Sequence, residues 1–74
     1  MSLSLEGLEV LDAIDRRGSF AGAAAELHRV PSAVTYTVRR LEEGLGVTLF
    51  DRTGNRATLT EAGRAVLEGG RPIL

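Results

Sequence analysis

Residues 29–46, RVPSAVTYTVRRLEEGLG, contain one long amphipathic segment, and this segment decides the fold. Its apolar residues recur four, three and four positions apart: Val34, Val38, Leu41 and Leu45. At about 100° per residue these side chains span only about 60° of a helical wheel, which is typical of a helix with one buried stripe. Pro31 suits the first turn of such a helix, and Gly46 suits the position just past its end. The pattern therefore predicts a helix that begins at Pro31 and is ended by Gly46.

The face opposite this stripe is polar and carries two adjacent arginines. Its members are Ser32, Tyr36, Arg39 and Glu43, with Thr35 and Arg40 on its flanks. Arg39 precedes Glu42 and Glu43 by three and four residues, and Arg40 precedes Glu43 by three. Ion pairs at this spacing contribute only about 0.3 kcal/mol each on a solvated helix. Taken alone, the run RRLEE is more typical of a solvated surface than of a binding site.

A first helix is predicted from Leu5 to Arg17, with Ser4 as its N-terminal cap and Gly18 just past its end. Its apolar residues fall on one broad arc and its charged residues gather opposite, as expected for a helix with one face in the core. The apolar residues are Leu8, Val10, Leu11 and Ile14.

A second, short helix is predicted from Phe20 to about Leu27, with Ser19 as its cap. Its sequence FAGAAAEL reflects either high helix propensity alone or close packing, because methyl groups leave shallow grooves into which another helix fits. Residues 28–30 then form a short turn before Pro31. Two helices joined by so short a turn are typical of a helix-turn-helix.

Two short extended segments are predicted after Gly46: VTLFDR (47–52) and RATLT (56–60). The residues between them include Gly54 and Asn55, which tolerate the positive φ of a tight turn, so the segments form a hairpin, or wing. Thr60 then caps a last helix in residues 60–74, TEAGRAVLEGGRPIL. Its glycines cost roughly 1 kcal/mol each relative to alanine and Pro72 costs more, so this helix is weak in isolation.

The composition is that of a globular protein. A chain of 74 residues buries only roughly 60% of its unfolded surface, so we expect a second copy or a further segment to contribute to stability. The chain is 43% hydrophobic and has no apolar run near the ~20 residues of a membrane span. It has no cysteine, one histidine, no phosphate-binding loop and no carboxylate cluster around a nucleophile, which argues against an enzyme. These features favour a cytoplasmic protein without a cofactor or metal in this domain.

The charge is unevenly distributed although the formal net charge is −1. Residues 1–27 contain five acidic residues and two arginines, whereas residues 28–56 contain five arginines and three acidic residues. The positive charge is therefore concentrated around the third helix and the wing, and this distribution favours nucleic acid as a partner. A B-DNA major groove is ~12 Å wide and admits one helix, which reads bases best with its N-terminal residues.

The run GSFAGAAAELHRVPSAVTYTVRRLEEGLGVTLFDRTGNRATLTEAG, residues 18–63, resembles the N-terminal DNA-binding region of LysR-type transcriptional regulators. The combination of GSF, RRLEEGLGVTLFDR and LTEAG is highly specific, and the resemblance extends over residues 5–67. It implies a mainly α fold, a winged helix-turn-helix of three helices and a two-stranded wing, followed by the start of a linker helix. The implied domain covers residues 3–60, with the helix-turn-helix motif at about 20–39 and the wing at about 48–60. Residues 61–74 would begin a dimerising linker helix, and an effector-binding domain would lie outside this chain.

The family's base-contacting positions fall on Pro31, Ser32, Thr35 and Tyr36, which are also the residues that the first turns of the third helix offer to a groove. Candidates for phosphate or wing contacts are Ser19, Arg29, Arg39, Arg40, Arg52, Asn55 and Arg56. Many members have arginine where this chain has Tyr36, so a different base preference is expected. Gly22, Ala25 and Glu26 occupy positions where long basic residues are common, which implies fewer phosphate contacts and a flatter salt dependence.

The leading hypothesis is sequence-specific binding of double-stranded DNA by a bacterial transcription regulator. The resemblance implies a homodimer through the linker helix, with a tetramer of the longer protein and RNA polymerase as further candidate partners, and a small-molecule inducer bound by the further domain. No membrane is expected as a partner. The alternative is a winged-helix module that uses the same face to bind protein instead of DNA.

Overall fold

The computed structural model describes residues 4–51 and 56–74 and confirms a mainly α winged helix-turn-helix. In chain order its elements are α1 (Leu5–Arg17), α2 (Phe20–Glu26), α3 (Pro31–Leu45), β1 (Phe50–Asp51), β2 (Thr58–Leu59), α4 (Glu61–Gly70) and a 3₁₀ turn (Arg71–Ile73). The two strands are antiparallel, with Phe50 opposite Leu59 and Asp51 opposite Thr58. Within the described ranges, no helix is long and apolar enough to cross a membrane.

The predicted bounds of α1 and α3 are confirmed, whereas α2 and both strands are shorter than predicted. Helix α2 ends at Glu26 because His28 takes the left-handed conformation, with φ of 57°, and turns the chain away from the helix axis. Among residues 4–51 and 56–74, only Phe50–Asp51 and Thr58–Leu59 form ladder pairs, so each strand has two described residues. The predicted turn at residues 53–55 lies outside the described residues.

The core lies where the first three helices meet and where the sheet and α4 close over them. The buried side chains include Leu11 and Ile14 of α1, Val34, Val38 and Leu41 of α3, Leu49, Phe50 and Leu67. Ala23 and Ala24 of α2 have almost no exposed surface, whereas Ala25 faces solvent, so two of the three consecutive alanines lie in the helix contact. Phe20 packs edge-to-face on Phe50 at 5.7 Å between ring centroids and joins α2 to the wing.

Three of the four α-helices begin with the same hydroxyl cap, as the sequence predicted. The side-chain oxygens of Ser4, Ser19 and Thr60 accept hydrogen bonds from the N–H groups of Gly7, Gly22 and Gly63, at 3.0, 2.9 and 3.0 Å. Helix α3 differs, because its cap position is Val30 and no side chain bonds to its first turn.

Leu49 joins α3, the wing and α4. Its N–H donates to the Glu42 carboxylate Oε2 at 2.7 Å, and its carbonyl oxygen accepts from the Thr60 N–H at 3.0 Å. The same carbonyl oxygen faces Gly63 so closely that a Cβ there would collide with it. The Leu49 side chain is fully buried, so one residue holds three elements by its backbone and its side chain together.

Ion pairs hold the outer faces of α1, α2 and the 3₁₀ turn together. Arg16 donates to Asp12 at 2.9 Å and to both oxygens of Glu26 at 3.1 and 2.5 Å. These hydrogen bonds from Arg16 hold the pKa of the Glu26 carboxyl below its usual value. Near the same end of α1, Arg71 donates to Asp15 at 2.9 Å and to Glu68 at 3.0 Å.

Candidate nucleic-acid interface

The first two turns of α3 present a polar face that forms no hydrogen bonds of its own. Pro31, Ser32 and Tyr36 are exposed and Thr35 is half-buried, and 63% of the Tyr36 surface is accessible. Within residues 4–51 and 56–74, no side-chain hydrogen bond occupies Ser32, Thr35 or Tyr36. Thr37, by contrast, donates its hydroxyl to the Ala33 carbonyl oxygen at 3.1 Å. The predicted base-reading side chains therefore lie together on one surface with their polar atoms available.

Arg39 and Arg40 extend this surface by one turn, and their guanidinium groups are not neutralised. Both are exposed, and no carboxylate of the described residues lies within 4 Å of either. The ion pairs with Glu42 and Glu43 that the spacing allowed are therefore absent, partly because Glu42 accepts the Leu49 N–H instead. RRLEE is nevertheless a solvated surface, as the sequence indicated, because Arg39, Arg40 and Glu43 are exposed.

Arg56, at the start of the second wing segment, lies against the turn between α1 and α2. Its guanidinium covers Gly18, where a Cβ would collide with it, and the Ala57 N–H donates to the Gly18 carbonyl oxygen at 3.0 Å. Gly18 has φ of 74°, a conformation that favours glycine. This contact holds Arg56 against Gly18, the residue directly before Ser19 in the sequence. The other two predicted wing residues, Arg52 and Asn55, lie outside the described residues.

The two remaining candidates already have partners in the free protein. The Ser19 hydroxyl accepts from Gly22 as the cap of α2, and the Arg29 guanidinium contacts the Glu6 carboxylate. The arginines of the described ranges thus fall into two groups. Those with a carboxylate within 4 Å are Arg16, Arg17, Arg29 and Arg71, and those without one are Arg39, Arg40, Arg56 and Arg64.

Two features were not predicted from the sequence: the exposed Arg64 and the left-handed backbone of His28. Arg64 is exposed on α4 and has no carboxylate partner among residues 4–51 and 56–74, but it belongs to no local pattern that would single it out. His28 is exposed, and its backbone takes the left-handed conformation in the turn between α2 and α3. A histidine directly after an alanine-rich helix is a weak signal for that conformation.

No three metal-ligating side chains converge in the part of the chain that the structure describes.

Residues 5–64 match the family of bacterial regulatory helix-turn-helix proteins, lysR family. This match covers α1 to the first turn of α4, including both motif helices and the wing. The probable HTH-type transcriptional regulator YhaJ of Escherichia coli strain K12 is 62% identical over 73 residues, which are 99% of this chain and 24% of that protein. The chain therefore spans about a quarter of the length of this curated relative.

Two similar solved structures are complexes with DNA. The CbnR_DBD–DNA complex is 36% identical, with a TM-score of 0.87, and the match covers 99% of this chain and 82% of that one. The complex of BenM_DBD with catB site 1 DNA is 25% identical, with a TM-score of 0.88, and the match covers 99% and 79%. The family is one of regulators and not of enzymes. The chain belongs to the lysR family of bacterial regulatory helix-turn-helix proteins.

Proposed function

We propose that this chain is the sequence-specific DNA-binding domain of a transcription regulator, with α3 in the major groove and the wing on the flanking backbone or minor groove. One observation carries the proposal: the unbonded polar face of α3 lies next to the unpaired guanidinium groups of Arg39 and Arg40. Similar folds in complex with DNA support it.

Base reading is assigned to Pro31, Ser32, Thr35 and Tyr36. Hydroxyl groups donate to or accept from base edges, and the Tyr36 ring adds an apolar surface that suits a thymine methyl group. No acidic side chain precedes Glu42 on α3, so the leading end of the helix does not repel phosphates. This face therefore offers the hydrogen-bonding groups that base edges in a major groove require, and it carries no opposing charge.

Phosphate contacts are assigned to Arg39 and Arg40, one turn after the base-reading residues, and to Arg56 beside Gly18. Contacts to phosphates fix the register and orientation of a protein on the duplex, and they contribute most of the salt dependence. Arg52 and Asn55 remain proposed wing contacts on the basis of the resemblance.

We propose that this domain acts within a longer cytoplasmic regulator, and the match to a quarter of the length of a relative supports this. In that protein α4 would pair two subunits on two half-sites, and a further domain would bind the inducer. The two-fold symmetry of a dimer is matched by two half-sites of opposite orientation, one helical turn or a multiple apart. A symmetric duplex is therefore the appropriate ligand.

The first test measures how strongly Arg56 contributes to phosphate binding. A symmetric duplex recovered by selection from a random pool is labelled, and its anisotropy is followed against protein concentration at several salt concentrations. Arg56→Ala is expected to weaken binding roughly threefold to tenfold and to flatten the slope of log K against log salt by roughly 0.9, because one phosphate contact is lost.

The control for Arg56→Ala is Arg71→Ala, which removes the same charge from a side chain held by Asp15 and Glu68. It is expected to leave the slope unchanged. Absence of DNA binding by the unaltered chain at low salt, in a preparation that is demonstrably dimeric, would instead favour the protein-interaction module.

Tyr36 is predicted to determine base preference more than overall affinity. Tyr36→Ala is expected to relax the preference at one position of each half-site by about 1–3 kcal/mol, since a base-edge contact is lost. Repeating the selection with this variant measures the change. Tyr36→Phe keeps the ring and tests the hydroxyl alone, and an unchanged preference in both variants would exclude Tyr36 from base reading.

A further inference from the structure

We propose that Glu6 lowers the affinity of this domain for DNA without touching DNA, because it holds Arg29 in competition with a phosphate. The inference rests on the proposed function and assigns a role to a residue of α1 that no groove contact involves. It concerns Arg29, the arginine nearest to the N-terminus of α3 in the sequence.

The backbone of Arg29 is fixed directly before α3. The Arg29 N–H donates to the Ala24 carbonyl oxygen at 2.9 Å, and the preceding His28 N–H donates to the Ala25 carbonyl oxygen at 3.3 Å. Val30, the cap position of α3, follows at once. Because the main chain is held in this way, only the side-chain rotamer decides where the Arg29 guanidinium lies.

In the free protein this guanidinium points to α1. Its Nη2 contacts Oε1 of Glu6, which stands in the first turn of α1. Both side chains remain partly in solvent, with relative accessibilities of 42% and 56%, so the pair is weak and can be broken. Within residues 4–51 and 56–74, neither group has a second ionic partner within 4 Å.

The other proposed phosphate contacts of the described ranges differ in this respect. Arg39, Arg40 and Arg56 have no carboxylate to release, whereas Arg29 must leave Glu6 before it can bind a phosphate. After that exchange, Glu6 is an unpaired negative charge beside the duplex. Both the lost pair and the new repulsion oppose binding, so removal of the carboxylate should strengthen it.

The salt dependence of DNA binding provides a second, independent prediction. A cation that is neutralised by an internal carboxylate displaces less counterion when it binds a phosphate than a cation that is free. Without the Glu6 charge, Arg29 becomes a full additional phosphate contact. The slope of log K against log salt should then steepen by roughly 0.9.

The experiment compares Glu6→Gln with Glu9→Gln in the anisotropy assay on the selected duplex. Both changes remove one negative charge from α1, but Glu9 is exposed and has no ion pair among the described residues. Glu6→Gln is expected to lower Kd about threefold at low salt, the fold-change that a weak surface ion pair allows, and to steepen the salt slope. Glu9→Gln is expected to change neither quantity beyond a general charge effect. Circular dichroism shows whether both variants are folded.

Arg29→Ala completes the test. In the Glu6→Gln background it should abolish the gain in affinity and in slope, whereas in the unaltered chain its effect should be smaller. Equal binding by the two glutamine variants, or weaker binding by Glu6→Gln, would overturn the inference and leave the proposed function intact. Failure of the unaltered chain to bind any duplex would remove both.

Discussion

Replacement of Gly63 by alanine is expected to lower the melting temperature of the domain by roughly 10 °C, followed by circular dichroism. A Cβ at this position would collide with the Leu49 carbonyl oxygen, which is backbone and already bonded to the Thr60 N–H. The helix must then move away from the wing, and the fully buried Leu49 and Leu67 lose contacts. Overpacking of this kind costs about 1–3 kcal/mol.

Gly69→Ala is the matched control on the same helix. Nothing lies within 4 Å of a Cβ built at Gly69, so the methyl group enters solvent. The variant is expected to raise the melting temperature by several degrees, since alanine favours the helix by roughly 1 kcal/mol over glycine. Equal responses of the two variants would mean that the approach of α4 to Leu49 does not limit stability.

Glu42→Ala is expected to destabilise the domain by about 1–3 kcal/mol, because the N–H of buried Leu49 loses its acceptor. Urea unfolding at neutral pH measures this loss. The same substitution releases the segment that leads from α3 into the wing. We therefore expect the Arg56→Ala change to have a smaller effect on DNA affinity in the Glu42→Ala background than in the unaltered chain.

Two neighbouring substitutions distinguish the hydrogen bond from the charge. Glu42→Gln keeps an oxygen that can accept from Leu49 and should retain most of the stability. Glu43→Ala removes an exposed carboxylate that has no ion pair among the described residues, and it should change stability by no more than about 0.5 kcal/mol. A loss for Glu43→Ala as large as that for Glu42→Ala would contradict the assignment.

Local signals in the sequence predicted most of the helical architecture. The stripe of Val34, Val38 and Leu41 is buried as its periodicity indicated, and Gly18 and Gly46 end their helices in the left-handed conformation. These features succeed because caps and periodicity act within one or two turns of the chain.

The contacts between elements could not be predicted in the same way. Gly63 counted only as a residue that weakens a helix, although its missing side chain makes room for a carbonyl oxygen 14 residues earlier. Glu42 was matched with Arg39 by spacing, yet it bonds to a backbone N–H seven residues later. Such roles depend on which segments meet in space, and a single sequence does not contain that information in local form.

The predicted base-reading residues do form one available surface, but the phosphate candidates are not equivalent. Arg39 and Arg40 lack the ion pairs that their spacing allowed. Arg29 has Glu6 beside it, and this contact becomes visible only when α1 is packed against the turn.

The absence of a side-chain cap at the N-terminus of α3 affects how readily its first turn opens. The hydroxyl caps of Ser4, Ser19 and Thr60 hold the first turns of the other three α-helices, whereas Val30 provides no such bond. A missing cap of this kind costs about 1 kcal/mol, so the first turn of α3 opens more readily and its amides exchange hydrogen with solvent sooner. The helix that reads bases is thus the one whose leading end can adjust its shape while the core beneath it stays packed.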